Sequence, residues 1–291
     1  MTSATKPTAR TIDLATGLRY HMLEWDADSD HTVILVHGFL DLSWGWQAVV
    51  ESGLAGKFHL VAPDMRGHGD SDRVGPGGYY YFMDYVADLA DLADLVSRSR
   101  LSLVGHSMGG SICSYYAGSF PDRVTRLALL EGLGPPEETI DMPGRIRGWL
   151  NGWKRARQRE PVSYANLDEA AARLCQHDRL LDPVLAEFLA ERGTVATADG
   201  RYHFKHDPLH VTRGPYPYRI DMAASLWKNI NCPVLLVEGS KSIFRHHAEQ
   251  VERRYAYFPT GKRVVIDGAG HMMQRHRPAE LARLLRDFLA E

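Results

Sequence analysis

A serine flanked by glycines forms the clearest chemical motif of the chain, Gly105-His106-Ser107-Met108-Gly109. The motif follows an apolar run, 101–104, that predicts a strand, and it precedes a stretch, 110–119, that is compatible with a helix. Glycines two residues before and after the serine permit a strained strand-to-helix turn that exposes its hydroxyl, the nucleophile elbow G-x-S-x-G. We therefore predict that Ser107 is a nucleophile and that His106 borders the substrate.

A general base for this serine is expected late in the chain, because the partners of such an elbow follow it in the order acid, histidine. His271 stands directly after the last predicted strand, in Asp267-Gly268-Ala269-Gly270-His271, and is the predicted base. The sequence contains 14 histidines, and this position after the last strand selects His271. We interpret His276 and the pair His246-His247 as solvated surface residues.

A third strand end supplies the expected oxyanion hole. His37-Gly38-Phe39 follows the apolar run 33–36, and we expect the backbone N–H groups of Phe39 and Met108 to bind a tetrahedral oxyanion. His37 is expected to organise this loop by hydrogen bonding and to border the substrate site.

Composition excludes several other classes of protein. The 291 residues carry a net charge of −2 with 44% hydrophobic and 24% charged residues, which argues against a polybasic nucleic-acid binder or an acidic disordered chain. No apolar run approaches the length of about 20 residues that spans a bilayer, and the first ten residues lack the apolar region of a signal peptide. We expect a cytoplasmic protein with a small-molecule substrate, no nucleic acid, no integral membrane segment and no cofactor or metal. Oligomeric state is left open.

The elements that position these residues follow a strand-helix rhythm typical of a mainly parallel sheet with helices on both faces. Predicted strands are 9–13, 18–25, 33–36, 58–62, 101–104, 124–130, 234–237 and 263–266, and predicted core helices are 84–97 and 278–290. The rhythm stops between Gly134 and Asn231. We therefore predict a core formed by residues 1–134 and 231–291 and a helical cap inserted at 135–230, with helices near 145–159, 167–175 and 183–192.

The first cap helix, 145–159, is amphipathic, with Trp149 and Trp153 on its apolar stripe and six basic residues between Arg145 and Arg159. We interpret it as a lid helix that lays its aromatic stripe on the core and exposes its basic face. A lipid-surface contact and a patch that steers an acidic substrate are the alternatives. Trp149 and Trp153 are the expected cap residues of an apolar substrate cleft. Zinc is not expected at His203, His206 and His210, because Pro208 and the surrounding loop interrupt helical spacing.

These motifs together resemble the α/β-hydrolase superfamily across nearly the whole chain. The run 64–71, Asp64-Met65-Arg66-Gly67-His68-Gly69-Asp70-Ser71, is similar to that family's D-x-R-G-x-G-x-S loop, and we interpret it as a structural turn capped by Asp64. The segment 188–194, followed by Phe204 and Asp207-Pro208, resembles the lid region of the serine hydrolase-like, kraken-type branch. The resemblance implies the α/β-hydrolase fold with an inserted cap.

The catalytic acid departs from the pattern of the superfamily. Most members carry it after the next-to-last strand as G-x-x-D, where this chain reads Gly239-Ser240-Lys241-Ser242. Glu131 ends the preceding core strand, a position that carries the acid in another branch, which includes some haloalkane dehalogenases. We predict Glu131 as the acid, with Glu238 and Asp267 as competing carboxylates.

The expected activity is that of a serine hydrolase that cleaves a carboxylic ester or a related acyl bond of a small to medium apolar substrate through an acyl-enzyme. Two alternatives stay open: a carbon-carbon bond hydrolase or lyase on the same scaffold, and a non-catalytic receptor with the hydrolase fold.

Overall fold

The computed structural model describes residues 6–138, 140–158 and 160–291. Eight strands form its main sheet: β1 (Thr8–Asp13), β2 (Arg19–Trp25), β3 (His31–Val36), β4 (His59–Pro63), β5 (Arg100–His106), β6 (Arg126–Leu130), β10 (Val234–Gly239) and β11 (Lys262–Ile266). Their order across the sheet is β1-β2-β4-β3-β5-β6-β10-β11. Only β2 pairs antiparallel, with β1 and with β4, and the other neighbours are parallel. The predicted mainly parallel sheet is confirmed.

The central strand β3 shows why these segments form a covered sheet. All six of its residues are buried, and alternate side chains enter different apolar clusters: Val33 and Leu35 on one face, Ile34 and Val36 on the other. Both faces therefore need an apolar cover, which explains the unbroken apolar run in the sequence.

Ten α-helices are present in the described ranges: α1 (Gln47–Val49), α2 (Phe82–Val96), α3 (Met108–Ser119), α4 (Met142–Gln158), α5 (Leu167–His177), α6 (Pro183–Gly193), α7 (Ile220–Trp227), α8 (Ala248–Tyr255), α9 (Met273–His276) and α10 (Pro278–Ala290). Helices α2, α3, α7 and α8 contribute to the apolar cluster on one face, and α1 and α10 contribute to the cluster on the other. The predicted helices on both faces are thus confirmed. Within the described ranges, none of the helices is both apolar and long enough to cross a bilayer.

The segment between β6 and β10 contains the predicted helices, as α4, α5 and α6, and a small sheet that the sequence did not predict. This antiparallel sheet has the order β7-β9-β8, from β7 (Ser163–Tyr164), β8 (Thr194–Ala196) and β9 (Tyr202–Phe204). The segment therefore contains short strands in addition to the predicted helices. The strands are two or three residues long and only partly buried, so they leave no apolar run to detect.

Helix α7 belongs by its packing to the core, although the sequence placed it inside the inserted segment. Trp227 is buried in the cluster that covers the sheet, and its indole Nε1–H donates to Ser114 Oγ of α3 at 3.0 Å. Gly118 of α3 leaves no room for a Cβ against the carbonyl of Leu226. Although it lies within the predicted insertion, 135–230, α7 therefore helps to cover the main sheet.

Five consecutive strands of the sheet, β3, β5, β6, β10 and β11, run parallel to one another. Their carboxyl ends therefore lie along one edge of the sheet. Ser107, Glu131, Ser242 and His271 follow four of these strands. In open α/β sheets this edge is where ligands bind, so the topology alone brings the predicted catalytic residues to one place.

Candidate active site

Ser107 occupies a strained turn between β5 and α3. Its φ of 52° and ψ of −117° lie in a region that L-residues rarely adopt. The turn is tightly enclosed: a Cβ at Gly105 would lie 2.5 Å from the carbonyl oxygen of Gly109, and one at Gly109 would overlap the carbonyl oxygen of Val36. Both glycines of the motif are therefore required for the close approach of β5, α3 and β3.

Two backbone N–H groups flank this turn. Met108 is the first residue of α3, and N–H groups in the first turn of a helix have no acceptor within it. The N–H of Phe39 has no recorded acceptor within the described ranges. A Cβ at Gly38 would lie only 3.2 Å from Ser107 Cβ, so the loop that carries Phe39 packs directly on the serine. The predicted oxyanion donors thus lie on the two segments that enclose Ser107.

Glu131 and His271 form a close pair. His271 Nδ1 lies 2.6 Å from Glu131 Oε2, and the glutamate side chain is only 4% exposed. Glu131 receives two further hydrogen bonds, from Gly239 N–H to Oε1 at 2.9 Å and from the Ser242 hydroxyl to Oε2 at 2.7 Å. Its backbone is also strained, with φ of 47°. These contacts fix the carboxylate against Nδ1 of the imidazole, and His271 Nε2 has no hydrogen-bond partner among residues 6–138, 140–158 and 160–291.

His271 is held by the residue that directly precedes Ser107. His106, which directly precedes Ser107, donates from Nε2 to the carbonyl oxygen of His271 at 2.9 Å. The His271 ring lies between the rings of His106 and Phe244, with centroids 4.7 and 4.9 Å away. Burial, followed by the nearby His271, lowers the pKa of His106 to about 3, so His106 stays neutral and keeps one nitrogen as a donor.

His37 and His106, both predicted to border the substrate, are deeply buried. Both are 1% exposed. His37 Nε2 accepts from Met65 N–H at 2.9 Å, so its Nδ1 carries the hydrogen that is donated to Gly38 O at 2.7 Å. His37 therefore organises the loop that carries Phe39.

The competing carboxylates face other partners. Glu238 lies 3.7 Å from the Arg263 guanidinium, and Asp267 accepts from the Ser240 hydroxyl at 3.0 Å. In the part of the chain that the structure describes, neither carboxylate has a recorded contact with His271. The geometry thus pairs the imidazole with Glu131 alone of the three.

Trp149 and Trp153 of α4 stack on each other at 6.3 Å, and Trp149 meets Tyr79 of the core edge to face at 5.7 Å. Arg157 lies over the Trp153 ring, while Arg159 lies outside the described residues. The aromatic stripe therefore packs toward the core. Neither indole lines either of two clefts found among the described residues.

Those two clefts differ in position. One lies beside Glu131 and has mostly apolar walls, formed by Leu129, Leu133, Leu236, Phe244, Val251 and Tyr255. The other lies between the core and the inserted segment, near Asp41, Phe204 and Arg275.

A group that could hold a metal ion is formed by His21, Asp64 and Asp70, whose ligand atoms lie within 4.8 Å of one another. Asp64 already accepts from Ser43 N–H at 2.7 Å, Asp70 N–H at 3.0 Å and His21 Nδ1 at 2.8 Å. Burial alone would raise the pKa of the Asp64 carboxyl, but these donors hold it below its usual value. The group is explained as the structural turn predicted for this loop.

His276 was predicted as a surface residue, and that prediction is wrong. Its side chain is 3% exposed and contacts Asp178 and Gly270. Sequence reasoning also missed two donors to the Glu131 carboxylate, the Ser242 hydroxyl and the Gly239 N–H. The only signal for them was the departure of residues 239–242 from the G-x-x-D pattern.

Residues 31–278 match the family described as the alpha/beta hydrolase fold, and the chain belongs to this family. It is 24% identical over 280 residues to a serine hydrolase-like protein of Dictyostelium discoideum, which covers 92% of this chain and 78% of the relative. A serine hydrolase-like protein of Danio rerio is 26% identical over 274 residues, covering 91% and 83%. A hypothetical protein of Pseudomonas aeruginosa, solved by crystallography, has a TM-score of 0.85 and 26% identity, covering 98% and 100%. The resemblance to the superfamily and to its serine hydrolase-like branch is confirmed.

Proposed function

We propose that the protein is a serine hydrolase that cleaves a carboxylic ester or a related acyl bond through an acyl-enzyme. The observation that carries this proposal is the 2.6 Å Glu131–His271 pair, held by His106 next to the strained turn at Ser107. A serine, a neighbouring imidazole and an orienting carboxylate are the parts that nucleophilic acyl transfer requires.

In this mechanism Ser107 Oγ attacks the acyl carbonyl carbon while His271 Nε2 takes the hydroxyl proton. Glu131 accepts from Nδ1–H and stabilises the imidazolium that forms. The N–H groups of Phe39 and Met108 bind the oxyanion of the tetrahedral intermediate, each contributing about 3 kcal/mol. When the intermediate collapses, His271 returns the proton to the leaving alcohol.

Water then attacks the acyl-enzyme, with His271 taking a proton from it. The second tetrahedral intermediate releases the carboxylic acid, and the proton returns to Ser107 Oγ. The scheme thus balances with the ester, one water molecule and groups of this chain.

An apolar acyl or alcohol group of small to medium size is the proposed substrate feature. The cleft beside Glu131 supports this choice: its walls are mostly apolar, and one of its lining residues, Phe244, contacts the His271 ring. We further propose that the segment from residue 135 to the start of α7 acts as a cap that limits access of water and substrate.

Labelling with a fluorophosphonate tests the proposal. We expect one adduct per chain, located on the Ser107 peptide by mass spectrometry, and none in Ser107→Ala. p-Nitrophenyl esters from acetate to laurate are then expected to give a burst of nitrophenol, with the highest kcat/KM for short or medium chains. Folded wild-type protein that forms no adduct would overturn the proposal.

A further inference from the structure

A second carboxylate–imidazole pair lies next to the base. His276 Nε2 is 2.7 and 2.9 Å from the two carboxylate oxygens of Asp178, and His276 Nδ1 is 3.0 Å from the backbone nitrogen of Gly270. Since a backbone N–H can only donate, Nδ1 accepts and Nε2 carries the ring hydrogen. Asp178 therefore holds His276 in the one neutral tautomer that can accept from Gly270.

The two members of this pair come from different parts of the molecule. Asp178 ends α5 in the segment that we propose as the cap, and His276 ends α9 of the core. The same turn of the cap touches the His271 loop a second time, because a Cβ at Gly270 would lie 3.2 Å from Leu180 Cδ1. The proposed cap and the His271 loop thus meet at a partly buried polar contact, in which Gly270 N–H donates to His276 and His276 donates to Asp178.

Gly270 directly precedes His271, so whatever fixes the Gly270 amide also fixes the start of the catalytic residue. The carbonyl of His271 is held from the other side by His106. Loss of the Gly270 contact would leave the backbone of this loop held by Lys241 N–H, which donates to Ala269 O at 2.8 Å, and by the bond to the His271 carbonyl. An error of about 1 Å in a catalytic group can cost roughly 100-fold in rate.

We propose that Asp178 and His276 are positioning residues for the base, so that a cap seated on the core is required for full activity. The inference rests on the proposed role of His271. Asp178 fixes the tautomer of His276, and His276 then fixes the Gly270 amide. In contrast to this anchored turn, α4 has no fully buried residue among those described.

Variants at Asp178 test the coupling, with Asp182→Ala as the matched control. Asp182 lies four residues further on and caps α6 by accepting from Val184 and Leu185 N–H, so its loss weakens the cap without touching His276. We expect Asp178→Ala to lower kcat for p-nitrophenyl acetate about tenfold or more with KM changed less than about twofold. Asp182→Ala is expected to lower Tm but to keep kcat within about twofold.

Two conservative variants separate the hydrogen bonds of His276. His276→Asn retains an acceptor near the position of Nδ1, and His276→Gln retains a donor near the position of Nε2. We expect His276→Asn to keep more of kcat than His276→Gln, because the contact to Gly270 is the one that reaches the base. If Asp178→Ala does not fold, Asp178→Asn is the substitute, with a smaller fall in kcat expected because an amide oxygen still accepts from Nε2–H.

Hydrogen exchange provides a readout that does not depend on catalysis. The Gly270 amide is expected to exchange at least about tenfold faster in Asp178→Ala than in wild type or Asp182→Ala. If wild type forms no fluorophosphonate adduct, the proposed function fails. In that case, faster exchange of the Gly270 amide in Asp178→Ala still supports the His276–Gly270 contact, and unchanged exchange contradicts that contact. The proposed positioning role is overturned if wild type is labelled but Asp178→Ala keeps the wild-type kcat. It is also overturned if Asp178→Ala matches Asp182→Ala in both kcat and the exchange rate of the Gly270 amide.

Discussion

Ser242 Oγ donates a 2.7 Å hydrogen bond to Glu131 Oε2, the same oxygen that lies 2.6 Å from His271 Nδ1. Ser242 stands at the last position of Gly239-Ser240-Lys241-Ser242, where the G-x-x-D pattern has its aspartate. The residue at the usual acid position thus supports a carboxylate from the neighbouring strand end. Because β6 and β10 pair in parallel, their carboxyl ends lie side by side, and an acid on either can face the same imidazole.

Replacing the acid gives the most direct test of the proposed triad. Glu131→Gln is expected to lower kcat about 10³- to 10⁴-fold, since an amide cannot stabilise the imidazolium. Its Tm should stay within a few degrees of wild type because the amide oxygen can still accept one of the hydrogen bonds. Steady-state ester hydrolysis and thermal unfolding followed by circular dichroism measure the two effects.

Glu238→Gln is the control for that experiment, because Glu238 lies beside Arg263 and not beside His271. It should retain kcat within about twofold of wild type. Near-normal turnover in Glu131→Gln together with an inactive Glu238→Gln would reassign the acid.

The acid should also be movable back to the β10 loop. In the Glu131→Gln background, Ser242→Asp is expected to recover at least about tenfold of the lost kcat, because the Ser242 side chain already reaches the atom that faces His271. Ser240→Asp in the same background is the control, since the Ser240 hydroxyl contacts Asp267. Equal kcat for the two folded double variants would show that position 242 does not face the imidazole.

The sequence predicted much of this site because strand ends are easy to find. The buried run 33–36 and the glycines around Ser107 leave clear patterns, and parallel pairing then brings residues that follow different strands to one edge. Glu131 was predicted from its place at a strand end and from the serine at 242. None of these steps required knowledge of side-chain contacts.

What the sequence did not predict depends on burial that has no periodic pattern. His276 and His246 are both late polar residues outside strands, yet one is buried against Asp178 and the other is exposed. The short strand β9 pairs with β7 almost forty residues earlier, and two- or three-residue strands carry too little pattern to be found. The Asp178–His276 contact spans 98 positions, a separation at which propensity carries no information.

Relief of strain at the nucleophile should stabilise the fold while it removes activity. At φ of 52° a Cβ is unfavourable, so Ser107→Gly is expected to exceed Ser107→Ala in free energy of unfolding by about 1 kcal/mol. Urea unfolding measures this difference, and neither variant should form a fluorophosphonate adduct. Ser225, an exposed position of the regular helix α7, is the control. There the Gly variant should have a lower free energy of unfolding than the Ala variant, because glycine disfavours helix. The same order at both positions would mean that the turn stores no strain.

Acid should destabilise the protein well above the range in which carboxylates titrate. Burial, followed by the charge of Arg100, lowers the pKa of His31 to about 4, whereas the unfolded chain has its usual value near 6.5. Between these values the unfolded state binds a proton that the folded state does not. The free energy of unfolding therefore falls as pH falls from 6.5 to 4, by up to about 1.4 kcal/mol per pH unit for this one group.

His31 lies at the start of β3, away from the catalytic edge, so its titration can be removed separately. His31→Gln is expected to flatten the fall in free energy of unfolding between pH 6.5 and 4, whatever its effect on stability at neutral pH. Urea unfolding of wild type and variant at pH 6.5, 5.5 and 4.5 gives the two slopes. A residual slope is expected because burial also lowers the pKa of His106 and of His210 to about 3. If the free energy of unfolding falls equally with pH in the two proteins, His31 has the same pKa in the folded and unfolded states, and the prediction is wrong.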